Sequence, residues 1–224
     1  MQHEPKWWRW FGAVALLAGL LVRSWPWLSQ PLLALEDGAL FFATNYAEFE
    51  WLAVTKSYAG YVPVGSNVLS LLVCRLPTDW IPTAFVMTAV FMMFGCATTL
   101  MRPAWSAVAS FRVRALIAAA LVMAPFGSNL EFTSLAYAQW PQMLWLFLLL
   151  LEPPAEGSRR TPLMFLRAIW VVFLTLTNPL SVVLLPLGLA QRVRRSGRLD
   201  WVCLVGAVLG HWLVMLLLPV EHIA

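Results

Sequence analysis

The chain has 224 residues, of which 61% are hydrophobic and only 12% are charged, and its mean hydropathy is +0.75. A soluble domain carries roughly 45–50% apolar and about 25% charged residues, so the composition excludes an ordinary soluble protein and predicts an integral membrane protein. The net charge is +4 at pH 7. In a membrane protein an excess of basic residues concerns orientation first, and no nucleic-acid partner is expected.

The N-terminal segment is basic and then apolar, like a signal peptide. Its apolar run continues to Leu28, and no small-residue cleavage site follows it. We therefore interpret Trp10–Leu28 as a retained membrane anchor. Many of the 13 tryptophans stand near the ends of apolar runs, where membrane interfaces favour them.

Further apolar runs approach the length of about 20 residues that a spanning helix needs. Four of them are continuous: Ile81–Met101, Ala115–Phe126, Trp140–Leu151 and Trp201–Leu218. A fifth run, 165–190, is interrupted at Thr177-Asn178-Pro179. This run predicts either one long kinked helix or two short helices that meet at the break.

Basic residues sort the connections between these runs into two kinds. Four groups are basic, one at the N-terminus and three in connections, and the positive-inside rule places all four in the cytoplasm. The connections between them are acidic or neutral. The basic groups are Lys6 and Arg9; Arg102, Arg112 and Arg114; Arg159, Arg160 and Arg167; and Arg192, Arg194, Arg195 and Arg198.

This orientation determines whether the number of membrane crossings between two connections is odd or even. Residues 29–80 form a first outer loop, 127–139 form a second, and a tight turn lies at 177–179. An odd number of crossings must separate the first outer loop from the inner loop 102–114, so 61–78 is predicted as a juxtamembrane helix that does not span. The alternative, in which 61–78 crosses, places 102–114 outside. The sequence thus predicts an all-α polytopic bundle of about seven spans in one domain, 1–224.

Two adjacent carboxylates, Glu36 and Asp37, follow the anchor directly, between "LLAL" and "GALFF". Apolar neighbours make a carboxylate a stronger base, which suits general-base catalysis. Adjacent carboxylates also hold divalent cations such as Mg or Mn when further oxygen ligands are present. A structural alternative is that Asp37 caps a helix that begins at the following residues.

Two other outer segments carry polar residues to the same face. Glu131 is the one acid of the second outer loop, and it is both a catalytic candidate and a third possible cation ligand. The break at Asn178-Pro179 exposes a helix N-terminus suited to an anionic phosphate. Irregular backbone at membrane depth is tolerated where it lines a cavity, so three such segments predict a pocket on the outer side.

Several functional classes have no sequence support. The chain contains no phosphate-binding Walker loop, dinucleotide fingerprint, H-E-x-x-H or G-x-S-x-G, so ATP-driven, redox and serine-hydrolase functions have no support in the sequence. The three cysteines lie in apolar surroundings and are predicted to be small buried hydrophobic residues.

The arrangement resembles the membrane core of GT-C-type glycosyltransferases, the polyprenyl-phosphate-sugar-dependent enzymes related to protein mannosyltransferases and aminoarabinose transferases. The resemblance rests on the segments "LEDGALFF", "GYVPVGSNVLSLLVCRLP", "APFGSNLEFTS" and "TNPLSVVLLPLGL" in their topological order. It implies a bacterial inner-membrane enzyme that transfers a sugar from a polyprenyl-phosphate donor to a glycan or lipid acceptor on the outer face.

The resemblance also implies roles for individual residues. A carboxylate that activates the acceptor is expected at Asp37 or Glu36, with Asp37 favoured as the general base, and Glu131 is expected as a supporting acid. The donor phosphate is expected at Lys56, Arg75 and Asn178. Contacts to the sugar or the acceptor are expected from Tyr58, Tyr61, Asn129, Gln139 and Trp140.

Two other functional classes remain open. A non-catalytic assembly or scaffold subunit needs only packing faces for membrane-protein partners, such as the small-residue pair Gly206 and Gly210. A transporter or flippase component for lipid-linked glycans needs a polar path through the bilayer, and the span centres carry few ionisable residues.

Overall fold

The structure of the chain is a computed structural model, and it describes residues 6–33, 37–47, 51–57, 61–124, 133–152, 162–187 and 198–217. Eight α-helices, α1–α8, follow one another in these ranges. Their bounds are Lys6–Ser29, Ala43–Ala47, Val64–Val73, Ile81–Leu100, Phe111–Met123, Gln139–Leu151, Pro162–Thr177 and Arg198–Leu217. A π-helix, Asp37–Phe42, precedes α2, and 3₁₀ helices form at Trp51–Thr55, Thr78–Trp80, Pro103–Ala107 and Pro179–Leu184.

The described part of the chain is helical, without a β-strand, which confirms the predicted all-α class. Two stretches are long and apolar enough to cross a membrane, Trp7–Ser29 and Thr78–Leu100. The break in the run 165–190 is also confirmed, because α7 ends at Thr177 and the next 3₁₀ helix begins at Pro179. Asn178 stands between them in an extended conformation, which ends one helix before the other starts.

Helix α4 is the centre of the fold. It packs against α1, α5 and α6, while α6 packs against α7, and α7 against α8 and α3. One apolar core joins α1, α4 and α5, and a second joins α6, α7 and α8. Close approach of α4 and α6 depends on Gly95, because a Cβ atom at that position would overlap the indole ring of Trp145.

Replacing Gly95 with alanine is expected to destabilise the fold by about 1–3 kcal/mol, because the Trp145 ring must leave its packed position. Gly206→Ala in α8 is the matched control, since a Cβ there meets nothing within 4 Å in the described part of the chain. The control gains helix propensity, about 0.5–1 kcal/mol. Thermal unfolding in detergent measures both; equal shifts of the two variants would contradict the packing role.

Large apolar side chains cover much of the surface. Several are more than 60% exposed, including Trp10 and Val22 on α1, Leu116 on α5, Phe165 on α7 and Leu216 on α8. An apolar surface spread over several helices is typical of contact with lipid or with other protein.

Charged groups gather at the end of the bundle where α4 and α6 finish and α7 starts, called here the Glu152 end. Glu152 is buried, and its Oε2 accepts from Arg102 Nη1 at 2.9 Å and from Arg167 Nη1 at 2.6 Å. Arg114 is also buried there and donates to the carbonyls of Ala109 and Arg102. Three arginines that the sequence assigned to cytoplasmic loops therefore lie at one end.

The opposite end, called here the Asp37 end, contains the last turn of α1, the start of α6 and the short helices between α1 and α4. Helix α3 has 10 residues, about 15 Å in length, which is half of a bilayer core. It is not an exposed interfacial helix, because it packs against α4 and α7 and buries Gly65, Asn67 and Ser70. Burial raises the pKa of the Cys74 thiol at its end, against a hydrogen bond with Ser70. Cys74 and Cys96 are both free and buried, as predicted for the cysteines.

Candidate functional site

The Asp37 end brings together segments that are distant in sequence. The chain between α1 and α4, the residues that start α6 and the break after α7 are joined there by side-chain hydrogen bonds. These are the three outer segments predicted to share a face. Their meeting point is the candidate functional site.

Asp37 is 1% exposed and bonds to the turn that leads into α6. Its Oδ1 accepts from Ser134 Oγ at 3.1 Å and from the Ala136 amide at 2.9 Å, and its Oδ2 accepts from the Leu135 amide at 2.9 Å. The Ala138 amide donates to Ser134 O at 3.0 Å, which closes the turn that leads into α6. A buried backbone amide outside regular secondary structure needs an acceptor from elsewhere in the chain. Asp37 supplies that acceptor to two amides of this turn, about a hundred positions along the chain.

A second contact joins Tyr61, Gln139 and Asn178. Tyr61 Oη donates to Gln139 Oε1 at 2.6 Å, and Asn178 Nδ2 donates to the Gln139 carbonyl at 3.4 Å. Two predicted sugar contacts and one predicted phosphate contact thus lie side by side, and we call them the Tyr61 cluster. Trp140, another predicted contact, is the next residue of α6 and is 51% exposed.

The structure alters the reason for Asn178's importance. Its Oδ1 accepts from the Leu180 amide at 2.9 Å, so the side chain caps the short 3₁₀ helix Pro179–Leu184 itself. The predicted open helix N-terminus for phosphate is therefore wrong at this amide, because Asn178 already satisfies it. The amide group of Asn178 remains part of the Tyr61 cluster through Nδ2.

The two predicted phosphate-binding cations lie at the surface. Lys56 follows the 3₁₀ helix Trp51–Thr55, and Arg75 lies in the turn after α3; both are exposed. The backbone around Lys56 is held by Asn67, whose Nδ2 donates to the carbonyls of Val54 and Lys56 at 3.1 Å.

Four predicted site residues, Glu36, Tyr58, Asn129 and Glu131, lie outside the described residues. The described ranges contain no group of three or more His, Cys, Asp or Glu side chains that could hold a metal ion. The predicted divalent cation depended on Glu36, Asp37 and Glu131 together, and of these only Asp37 is described.

Sequence reasoning did not include two buried polar residues of this end, Asn45 and Gln142, in the predicted site. Asn45 Nδ2 donates to Phe41 O at 2.8 Å and to Ser70 Oγ at 3.0 Å, which ties the π-helix to α3. Gln142 lies one turn after Gln139; it is fully buried, and neither atom of its amide has a partner in the described part of the chain. The sequence signal for Gln142 was that it is a single polar residue inside the apolar run Trp140–Leu151.

The Gln142 amide, unpaired within the described residues and one turn along α6 from Gln139, has a chemical consequence. A buried polar group without a hydrogen bond costs about 1–3 kcal/mol, so native structures pair such groups with protein, water or ligand. Gln142 offers both a donor and an acceptor on the helix that carries Gln139. The phenol of Tyr61 and the amide groups of Gln139 and Asn178 offer the same types of partner in the Tyr61 cluster, and together they suit a ligand rich in hydroxyl groups.

The chain was compared with protein-family models, curated proteins and solved structures. No protein-family model, no curated protein and no solved structure matches the chain.

Proposed function

We propose that the chain is a polytopic inner-membrane protein of about seven spans, with the Glu152 end in the cytoplasm. The clustering of Arg102, Arg114 and Arg167 at one end supports this orientation. The short length and packed position of α3 support an odd number of crossings between the outer and inner loops. The exposed apolar side chains on α1, α5, α7 and α8 would then face lipid.

Within that topology, we propose a GT-C-like glycosyltransferase that acts at the Asp37 end. It would transfer a sugar from a polyprenyl-phosphate donor to a glycan or lipid acceptor on the outer face. The observation that carries the proposal is the Tyr61 cluster, with the Gln142 amide unpaired among the described residues one turn further along α6, because neutral hydrogen-bonding groups next to an exposed indole suit a sugar.

The geometry supports a division of labour among the acidic residues. Hydrogen bonds to a carboxylate stabilise its charged form, which makes Asp37 a poor proton acceptor while it holds the turn before α6. Asp37 is thus proposed as a positioning residue that fixes Gln139 and Trp140. The general base is then Glu36, which the resemblance implied as the alternative to Asp37, or Glu131, which it implied as a supporting acid. The donor phosphate is assigned to the exposed Lys56 and Arg75.

The test is a transfer assay with the purified protein in liposomes and a panel of radiolabelled polyprenyl-phosphate hexoses. Tyr61→Phe is expected to slow transfer about tenfold, because one hydrogen bond of the Tyr61 cluster is lost. Tyr46→Phe is the matched control, since Tyr46 is exposed and its hydroxyl pairs only with Thr78 among the described contacts. Equal rates of sugar transfer by Tyr61→Phe and the wild type would show that the Tyr61 cluster does not contribute to the site.

One observation favours a second function, a non-catalytic assembly subunit. Asp37, the carboxylate most favoured by sequence, has a structural set of partners, and Gly206 and Gly210 on α8 meet nothing within 4 Å in the described chain. Such a subunit would transfer no sugar from any of the polyprenyl-phosphate donors. On solubilisation it would be extracted from the membrane as part of a larger complex. Native mass spectrometry after mild solubilisation, together with the transfer assay, separates the two functions.

A further inference from the structure

A groove of about 1260 Å³ runs along the seam between α1 and α5, far from the Tyr61 cluster. Glycine and alanine residues form much of its lining: Gly12 and Gly19 on α1, and Ala115 and Ala119 on α5. Because these residues have little or no side chain, the two helices leave a depression where larger residues would fill the seam.

The groove has the length of one leaflet of a bilayer. It extends from Trp8 to Gly19 on α1, about 17 Å at the rise of an α-helix, and half of a bilayer core is about 15 Å. On α5 the lining follows the whole helix, from Phe111 to Met123, about 20 Å, and Arg23 donates to the Val122 carbonyl at that end. A groove of this length suits the acyl chain of one lipid, whereas a helix that spans a bilayer core of about 30 Å would extend well beyond it.

One end of the groove is polar and cationic. Ser106, Ser110 and Arg112 line it beside the start of α5, and all three are exposed. Ser110 precedes α5 without making a side-chain cap, so the first amides of a 13-residue helix face the same place. Arginine, hydroxyl groups and a helix N-terminus together favour a phosphate.

We propose that this groove binds one anionic glycerophospholipid of the cytoplasmic leaflet. Its phosphate lies at Arg112 and Ser110, and an acyl chain lies along the small residues of α1 and α5. The proposal uses the membrane orientation given above but not the transfer reaction, so either can fail without the other.

The test is native mass spectrometry of the purified chain in detergent, titrated with phosphatidylglycerol or with phosphatidylcholine of the same acyl chains. Phosphatidylglycerol is expected to bind more tightly. Arg112→Ala should weaken its binding about fivefold, the factor for one basic residue at a membrane surface, and Arg112→Lys should retain most of it. Ala119→Phe should abolish binding of both lipids by filling the groove.

Ile117→Phe is the matched control for Ala119→Phe, because Ile117 is an exposed residue of α5 that does not line the groove. It should bind lipid as the wild type does. Equal binding of the two lipids with no effect of Arg112→Ala would overturn the proposal, as would undiminished binding by Ala119→Phe. A dimer that Ala119→Phe disrupts would show that the groove holds a second copy of the chain instead.

Discussion

Asp37→Ala is expected to destabilise the protein by about 3–5 kcal/mol, the largest effect of any single change at the Asp37 end. The substitution leaves the amides of Leu135 and Ala136 and the hydroxyl of Ser134 without their acceptor, in a place where Asp37 is 1% exposed. Thermal unfolding in detergent measures the loss directly.

Asp37→Asn separates structure from catalysis at this position. The amide keeps the volume of the side chain, but its NH₂ group meets the same donors, so a substantial part of the stability is still lost. Asp79→Ala removes an exposed acid beside α4 and should change stability by no more than about 0.5 kcal/mol. If Asp37→Asn unfolds like the wild type and yet transfers no sugar, Asp37 is the base and the positioning role is wrong.

The neighbouring acid provides the complementary test of the same division of labour. Glu36→Gln should abolish transfer if Glu36 is the base, while the unfolding temperature stays near that of the wild type. A double-mutant cycle between Asp37 and Ser134 then measures the contact itself. The two side chains share a hydrogen bond, so the effects of the two substitutions on the free energy of unfolding should not add.

The sequence predicted the elements of this fold better than their contacts. Apolar runs, arginine positions and the break at Asn178-Pro179 are local signals, and they predicted the helical class, the order of the helices and the end of α7. Helix α5 begins at Phe111 rather than at Ala115, because Arg114 is paired with backbone carbonyls instead of lying in a solvated loop.

The contacts of the candidate site depend on tertiary packing that no local pattern reports. Ser134 has the signal of a helix N-cap, a hydroxyl just before an apolar run. Nothing near it in the chain indicates that the Ser134 hydroxyl bonds to Asp37 instead of capping α6, or that Tyr61 reaches Gln139. The number of predicted membrane crossings placed these segments on the same face. The structure shows which of their side chains are in contact.

Glu152→Ala is expected to destabilise the other end of the bundle by about 2–4 kcal/mol. The carboxylate side chain is 2% exposed, while its partners Arg167 and Arg102 are 25% and 47% exposed, so water compensates the two guanidinium groups in part. The change leaves both arginines, with the buried Arg114 nearby, at the point where α4, α6 and α7 meet. Thermal unfolding of matched detergent samples measures the loss.

The order of effects among the partners tests the explanation more sharply than any single value. Arg167→Ala should cost more than Arg102→Ala, because Arg167 is less exposed and also donates through Nη2 to the Leu149 carbonyl at 2.6 Å. High salt should weaken the half-exposed Arg102 contact and leave the Arg167 contact nearly unchanged. Equal costs for the two arginines, or a Glu152→Ala variant as stable as the wild type, would contradict a buried ion-paired junction. An intact junction holds α7 against α6 at the Glu152 end. At the Asp37 end of the same two helices, Asn178 lies beside Gln139, so its position depends on how α6 and α7 pack.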